Sequence, residues 1–185
     1  MNLSDEQQGV VDAVVSFKYP VILVRGQAGV GKSVVIREIQ NRVQNTLTVT
    51  SKGLAAQNIN GSTIHRTFGY PTGKTFDPSL TKLWSFRERS CTPHLRFFNT
   101  DHLRACQLLI IDECFDVRCD LFDFIDRCLR IARREPQVPF GGLYIVLVGD
   151  EGQSMPIVGD DEDELKKYGY TSPYGIMQSK VWEEL

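Results

Sequence analysis

The sequence predicts an α/β fold in which helices cover both faces of an open, mostly parallel sheet. Four short apolar runs are typical of strands that are buried on both sides: Pro20–Val24, Leu47–Thr50, Leu108–Ile111 and Tyr144–Val148. Helical patterns alternate with these runs, and strands that alternate with helices form parallel βαβ units. Ligands of such sheets bind at the carboxyl ends of the strands.

Three helices are predicted between and before the strands. Ser4 and Gln7 have the spacing of a capping box, which predicts a helix that continues through Phe17. Apolar residues recur at helical spacing over Ser33–Val43 and again over Leu121–Ala132. The acidic segment Gly159–Glu164 is expected to form a solvated loop.

Length and composition predict one domain. The chain has 185 residues, of which 42% are hydrophobic, enough for a core. We expect one domain over residues 1–185, with an irregular excursion at about 70–105 that is rich in proline and aromatic residues. The 21 Lys and Arg residues nearly balance the 23 Asp and Glu residues, which excludes a strongly basic, histone-like protein.

The start of the chain, its apolar runs and its cysteines predict an intracellular, reducing location. They do not distinguish between the nucleus, the mitochondrion, the bacterial cytoplasm and a viral host cell. The polar, acidic start of the chain does not resemble a signal peptide, and no apolar run is long enough to span a membrane. The cysteines are odd in number and lack paired CxxC spacing, so neither a disulfide framework nor a zinc site is expected.

The segment Gly26–Ser33 reads GQAGVGKS and fits the phosphate-loop pattern G-x-x-x-x-G-K-[ST] between a strand and a helix. Glycines let the backbone turn its N–H groups toward phosphate, Lys32 reaches the β- and γ-phosphates, and Ser33 ligates Mg²⁺. The alternative is a glycine-rich turn with a chance lysine. The predicted cofactors are ATP and Mg²⁺, and the predicted nucleotide-binding residues are Gln7, Gly26, Gln27, Ala28, Gly29, Val30, Gly31, Lys32, Ser33 and Val34.

Acidic and amide side chains follow two predicted strands. Asp112 is predicted to hold Mg²⁺ together with Ser33, and Glu113 to orient or deprotonate the attacking water. Gln153 is a candidate contact to the γ-phosphate, so the predicted catalytic residues are Lys32, Glu113 and Gln153. The structural alternatives are a strand-end cap for Asp112 and an ordinary turn for the segment that contains Gln153.

Gln7 has two readings. In one, its side chain completes the capping box with Ser4; in the other, its amide reads the edge of adenine. Both hold only if the cap does not consume the Gln7 side chain.

These motifs together resemble superfamily 1 helicases of the 5′-to-3′ branch, and more narrowly the first RecA-like lobe of a PIF-type DNA helicase, related to the RecD type. The most specific match is Gly53–Gly69, which resembles the family's DNA-contacting pattern G-x-A-A-x-x-I-x-G-x-T-I-H-x-x-F-G. Leu3–Gln8 is similar to the adenine-recognising motif, and Ser179 with Trp182 is similar to an S-x-x-W motif.

The resemblance implies a RecA-like P-loop NTPase fold and an ATP-dependent DNA helicase that translocates 5′ to 3′ on single-stranded DNA. It implies DNA contacts at Ser51, Lys52, His65 and Phe68, although His65 and Phe68 also read as buried structural residues. The implied partners are single-stranded DNA, duplex junctions and a second RecA-like lobe of the same protein. That lobe is expected to lie outside this chain, so the fragment alone is expected to be weakly active or inactive.

Three segments depart from the family pattern. Ser51 and Lys52 stand where the family has a Pro/Ser-Thr pair, and Cys114–Asp116 stands where it has I-S-M. Ser154–Ile157 replaces L-P-P-V. Two other functions remain open: a non-helicase P-loop ATPase of the initiator or loader type, and a degenerate lobe that binds DNA or a partner.

Overall fold

The computed structural model describes residues 3–70, 75–78, 100–152 and 155–185. Gln153 and most of the predicted excursion at about 70–105 lie outside the described residues. Among the described helices, none has both the length and the apolar composition needed to cross a bilayer.

The described strands form one parallel sheet of five strands in the spatial order β1-β5-β4-β2-β3. The four predicted strands are confirmed, with small shifts at their ends. The two-residue strand β3 was not predicted, because two residues are too few to show a pattern. The strands are β1 (Val21–Arg25), β2 (Thr46–Thr50), β3 (Ser62–Thr63), β4 (Leu108–Asp112) and β5 (Tyr144–Gly149).

Seven α-helices are present in the described part of the chain. The capping box is confirmed, but the first helix ends at Val15 rather than Phe17, because Phe17 has a left-handed backbone with φ of 51°. The prediction of a loop for the acidic segment Gly159–Glu164 was wrong, because its last three residues form the first turn of the helix Glu162–Lys167. The helices are α1 (Asp5–Val15), α2 (Lys32–Arg42), α3 (Gly53–Asn58), α4 (Ile64–Phe68), α5 (Thr100–Ala105), α6 (Cys119–Arg133) and α7 (Glu162–Lys167).

Helices cover both faces of the sheet. Along β4, Leu108 and Ile110 point to one face and pack in a cluster with residues of α1 and α2. Leu109 and Ile111 point to the other face and pack in a larger cluster with residues of α4, α5 and α6. This alternation confirms the predicted α/β layering, because a strand between two helical layers must be apolar on both sides.

The helix α6 carries buried acids that tie distant segments together. Asp123 accepts hydrogen bonds from Tyr170 Oη at 2.7 Å, Lys180 N at 2.9 Å and Val181 N at 2.9 Å. Asp126 accepts a hydrogen bond from Phe140 N at 2.6 Å. These carboxylates satisfy backbone N–H groups that the sheet and helices leave without partners.

We expect Ser4→Ala to destabilise the fold by about 1 kcal/mol, the usual cost of losing an N-cap side chain. Ser4 Oγ accepts from Gln7 N at 3.2 Å, and Gln7 Oε1 accepts from Ser4 N at 3.0 Å. Urea unfolding measures the change. The matched control is Ser16→Ala at the other end of α1, where Ser16 Oγ donates only to Ala13 O. Equal losses in both variants would contradict the expectation.

Candidate functional site

The phosphate-loop segment leaves β1 at the carboxyl edge of the sheet and enters α2 at Lys32. Gly31 has a φ of 89°, a left-handed backbone that favours glycine, and a Cβ there would also lie 2.6 Å from Gln7 Nε2. No side chain caps the N-terminus of the eleven-residue helix α2. Its first N–H groups and its dipole are therefore available to an anion.

Lys32 lies over this loop. Its Nζ donates hydrogen bonds to Gly26 O at 2.5 Å and to Gln27 O at 2.9 Å. A cleft of about 600 Å³ opens between the loop and residues Asp150–Gly152 after β5. The ammonium is thus held over the loop carbonyls, at the edge of the sheet where ligands of parallel folds bind.

The two acids predicted to act on Mg²⁺ and water end β4. Asp112 is 8% exposed, and burial raises the pKa of its carboxyl, against the hydrogen bond from Glu113 N–H and the charge of Lys32. Burial and then the hydrogen bond with Asp116 raise the pKa of Glu113, while the charge of Lys52 opposes this rise. Both carboxyls therefore lie at least partly out of water beside lysine side chains.

The donor set at this edge fits Mg²⁺. Ser33 is exposed on the first turn of α2, and Asp112 is close enough to Lys32 for the lysine charge to affect its pKa. A hydroxyl and a carboxylate are the oxygen donors that Mg²⁺ takes beside nucleotide phosphates. Within the described ranges no group of three or more His, Cys, Asp or Glu residues is arranged to hold a metal alone.

The side chain of Gln7 is engaged at both ends. Its oxygen belongs to the capping box, and its Nε2 donates to Val30 O in the phosphate loop at 3.0 Å. The capping reading is therefore confirmed, whereas the contact with Val30 was not predicted. A cavity of about 170 Å³ lies beside Gln7, lined also by Val10, Val30 and Val35.

The residues predicted to contact DNA do not all reach one surface. Ser51, Lys52 and His65 line a cavity of about 300 Å³ together with Arg118. The hydroxyl of Ser51 is buried and has no hydrogen-bond partner among the described atoms. Burial, followed by the charge of Arg118, lowers the pKa of His65, which favours a neutral imidazole at this wall.

Phe68 does not join this surface, which corrects its prediction as a DNA contact. Its side chain is 0% exposed and packs in the core with Val49 and Phe124 among others. A base cannot stack on a ring that has no exposed face, so the core reading holds for Phe68.

Lys52 carries ion pairs with two residues of the turn that follows β4. Its Nζ lies 2.5 Å from Asp116 Oδ2 and 3.7 Å from Glu113 Oε2. The hydrogen bond with Asp116, opposed by desolvation, raises the pKa of Lys52. The residue predicted to meet DNA phosphate therefore contacts the predicted catalytic acid in this structure.

Arg118 and Asp120 form a second ionic cluster that the sequence did not reveal. Asp120 is 0% exposed and accepts from Arg118 Nε at 2.8 Å, from Tyr70 Oη at 2.6 Å and from Phe76 N at 3.0 Å. Burial opposes the charge of Arg118, but the hydrogen bond and charge of Asp120 outweigh it and raise the arginine pKa. Arg118 also reaches Asp161 Oδ2 at 2.5 Å.

Gly149, the last residue of β5, is where three segments of the site meet. Its carbonyl accepts from Gly26 N at 3.1 Å. A Cβ at position 149 would lie 2.6 Å from Phe115 Cδ2 and 2.9 Å from Cys114 Sγ. The absence of a side chain therefore lets the turn after β4 pack directly on β5.

The sequence is similar to those of several known proteins. A model of the PIF1-like helicase family matches residues 2–185. The ATP-dependent DNA helicase RRM3 of Saccharomyces cerevisiae is 33% identical over 177 residues, covering 92% of this chain and 23% of that protein. The human ATP-dependent DNA helicase PIF1 is 31% identical over 189 residues, covering 98% of this chain and 28% of that protein. The chain thus spans about a quarter of the length of these relatives.

Solved structures agree with the predicted RecA-like fold. Bacteroides Pif1 in complex with ADP-AlF4 superposes with a TM-score of 0.80 at 28% identity, covering all of this chain (100%) and 40% of that one. Bacteroides Pif1 bound to single-stranded DNA gives a TM-score of 0.78 at 29% identity, again over 100% of this chain and 40% of the other. On both sequence and structure, the chain belongs to the PIF1-like helicase family.

Proposed function

We propose that this chain is the first RecA-like ATPase lobe of an ATP-dependent DNA helicase, which uses ATP hydrolysis to move 5′ to 3′ along single-stranded DNA. The observation that carries the proposal is the uncapped start of α2, with Lys32 beside it and the buried Asp112 and half-buried Glu113 at the nearby end of β4. The names of the relatives, ATP-dependent DNA helicases, support it.

Each side chain of the site has a distinct role in this proposal. The backbone of Gly26–Val34 receives the phosphates, and Lys32 leaves the carbonyls of Gly26 and Gln27 to meet the β- and γ-phosphates. Mg²⁺, held by Ser33 and Asp112, would neutralise phosphate charge. Glu113 accepts the proton of the attacking water, and Gln153 contacts the γ-phosphate.

Gln7 contributes to adenine binding only if its amide exchanges Val30 O for the base, since its oxygen serves the helix cap. The cavity of about 170 Å³ beside it has apolar walls from valines, which suits one face of a purine. We propose that adenine enters there and that Gln7 donates to its edge.

DNA contacts are proposed for the cavity lined by Ser51, Lys52 and His65. Its lysine and arginine side chains suit the phosphate backbone, which dominates binding of single strands. The solved relative bound to single-stranded DNA supports DNA as the partner. A second RecA-like lobe of the same protein would complete the ATP site and supply the other half of the DNA track.

We expect Lys32→Ala to weaken ATP binding by about ten- to a hundredfold, because a charged hydrogen bond contributes about 1.5–3 kcal/mol. The measurement is calorimetric titration of the chain with ATP and Mg²⁺. The matched control is Lys18→Ala, an exposed lysine that follows α1 and lies outside the site. Unchanged affinity in Lys32→Ala would contradict the phosphate role of this lysine.

The decisive experiment measures ATP hydrolysis by a protein that joins this chain to its second lobe, with and without single-stranded DNA. A helicase motor is expected to hydrolyse ATP faster with DNA. A rate of hydrolysis that does not change when DNA is added would favour the initiator or loader alternative. Binding of DNA without any hydrolysis would favour a degenerate lobe.

A further inference from the structure

Lys52 and Asp116 lie in two of the segments where this chain departs from the family pattern, and the structure brings them into contact. Lys52 follows β2, whereas Asp116 ends the turn after the neighbouring strand β4. Their Nζ and Oδ2 atoms are 2.5 Å apart. The Asp116 side chain is only 9% exposed, so this nearly buried carboxylate needs a cation, and Lys52 in the other departing segment provides it.

Glu113 belongs to the same ion-pair cluster. Its Oε2 lies 3.7 Å from Lys52 Nζ, a looser contact than the one with Asp116. The Lys52 side chain is 56% exposed and the Glu113 side chain 28% exposed. One flexible ammonium therefore interacts with the acid proposed to accept the water proton, and it does so from a position that solvent reaches.

Lys52 and Asp116 both line the cavity proposed for DNA. Lys52 lines that cavity of about 300 Å³ with His65 and Arg118. A lysine head has three rotatable donors on a flexible stem, so it can exchange one anion for another. Exposed ion pairs are weak and screened by salt, which makes the Glu113 contact open to competition from a phosphate.

We propose that Lys52 is a positioning residue that holds the Glu113 carboxylate away from the attacking water until a DNA phosphate withdraws the lysine ammonium. Asp116 anchors Lys52 near Glu113 in the absence of DNA. This inference rests on the proposed function and adds the means by which DNA regulates hydrolysis. It assigns to two side chains, Lys52 and Asp116, the coupling of the DNA surface to the ATP site.

Lys52→Met tests the proposal in the protein that joins this chain to its second lobe. Without DNA, the rate of hydrolysis should rise about two- to fivefold, the factor that an exposed ion pair supports. The stimulation by single-stranded DNA should fall by a similar factor, and the DNA concentration for half-maximal stimulation should rise. Lys52→Arg, which keeps the charge, should lose less of the DNA stimulation than Lys52→Met does.

The matched control is Lys166→Met on α7. Lys166 is 58% exposed and pairs with Glu162 at 2.9 Å, yet it lines none of the three cavities of the site. Its removal should leave the rates of hydrolysis with and without single-stranded DNA unchanged. Asp116→Asn provides a second variant: with the competing anion neutralised, half-maximal stimulation should need less DNA than in the unchanged protein.

Two results would overturn the proposal while the proposed function stands. One is DNA-stimulated hydrolysis in which Lys52→Met alters neither the basal rate nor the stimulation. The other is a lower basal rate in Lys52→Met, which would make the lysine an aid to Glu113 instead of a restraint. If the unchanged protein binds ATP but never hydrolyses it, the proposed function fails, and this inference fails with it.

Discussion

Glu113→Gln is expected to reduce ATP hydrolysis by about 10²- to 10⁴-fold, the contribution of a general base, while ATP still binds. The amide keeps the shape of the carboxylate but accepts no proton from the attacking water. The Glu113 side chain is 28% exposed and forms no part of the core, so the fold should survive the change. Single-turnover hydrolysis in the two-lobe protein, alongside titration with ATP, separates the loss of chemistry from any loss of binding.

The matched control for this variant is Glu38→Gln. Glu38 has a similar exposure of 32% and an ion pair with Arg42 at 2.7 Å, but it lines neither the cleft beside the phosphate loop nor the cavity beside Gln7. We expect its hydrolysis to match the unchanged protein. Turnover that persists in Glu113→Gln would remove this residue from its proposed role and direct attention to another acid at the same edge.

Asp120→Ala is expected to destabilise the fold by about 3–5 kcal/mol, the usual effect of removing one partner from a buried ion pair. The change deprives Arg118, which is 15% exposed, of its contact with a fully buried carboxylate. It also leaves Tyr70 Oη and Phe76 N without the acceptor they use in this structure. The shift in the midpoint of urea unfolding, at an unchanged slope, measures the effect.

Asp161→Ala tests the same arginine from its exposed side. Asp161 is 31% exposed and pairs with Arg118 at 2.5 Å. Since solvent screens this pair, its loss should cost about 1 kcal/mol or less. The difference between the two variants isolates the effect of burial, and equal losses would refute the central place given to Asp120.

Much of the fold could be predicted because its signals are local. Each strand, such as Leu108–Asp112, is a continuous apolar run, since both faces of a sheet between two helical layers are dry. The phosphate-loop segment is equally local, because one short stretch of backbone carries most of the proposed phosphate contacts. The capping box of α1 also involves residues only three positions apart.

The remaining features depend on pairs that are distant in sequence. Nothing near Asp120 indicates that a buried tyrosine and the backbone of Phe76 would use its oxygens. Lys52 and Asp116 each read alone as a surface charge, and only the neighbouring positions of β2 and β4 bring them together. Phe68 was ambiguous for a related reason, since an aromatic residue after a polar segment suits a nucleic-acid contact and a core position equally.

The packing around Gly149 makes the ATP edge mechanically continuous. The side chains of Phe115 and Cys114 lie directly against the β5 backbone at Gly149, with no β5 side chain between them. The hydrogen bond from Gly26 N fastens the start of the phosphate loop to the same carbonyl. A displacement of this strand end would therefore act directly on two closely packed side chains of the turn that bears Asp116.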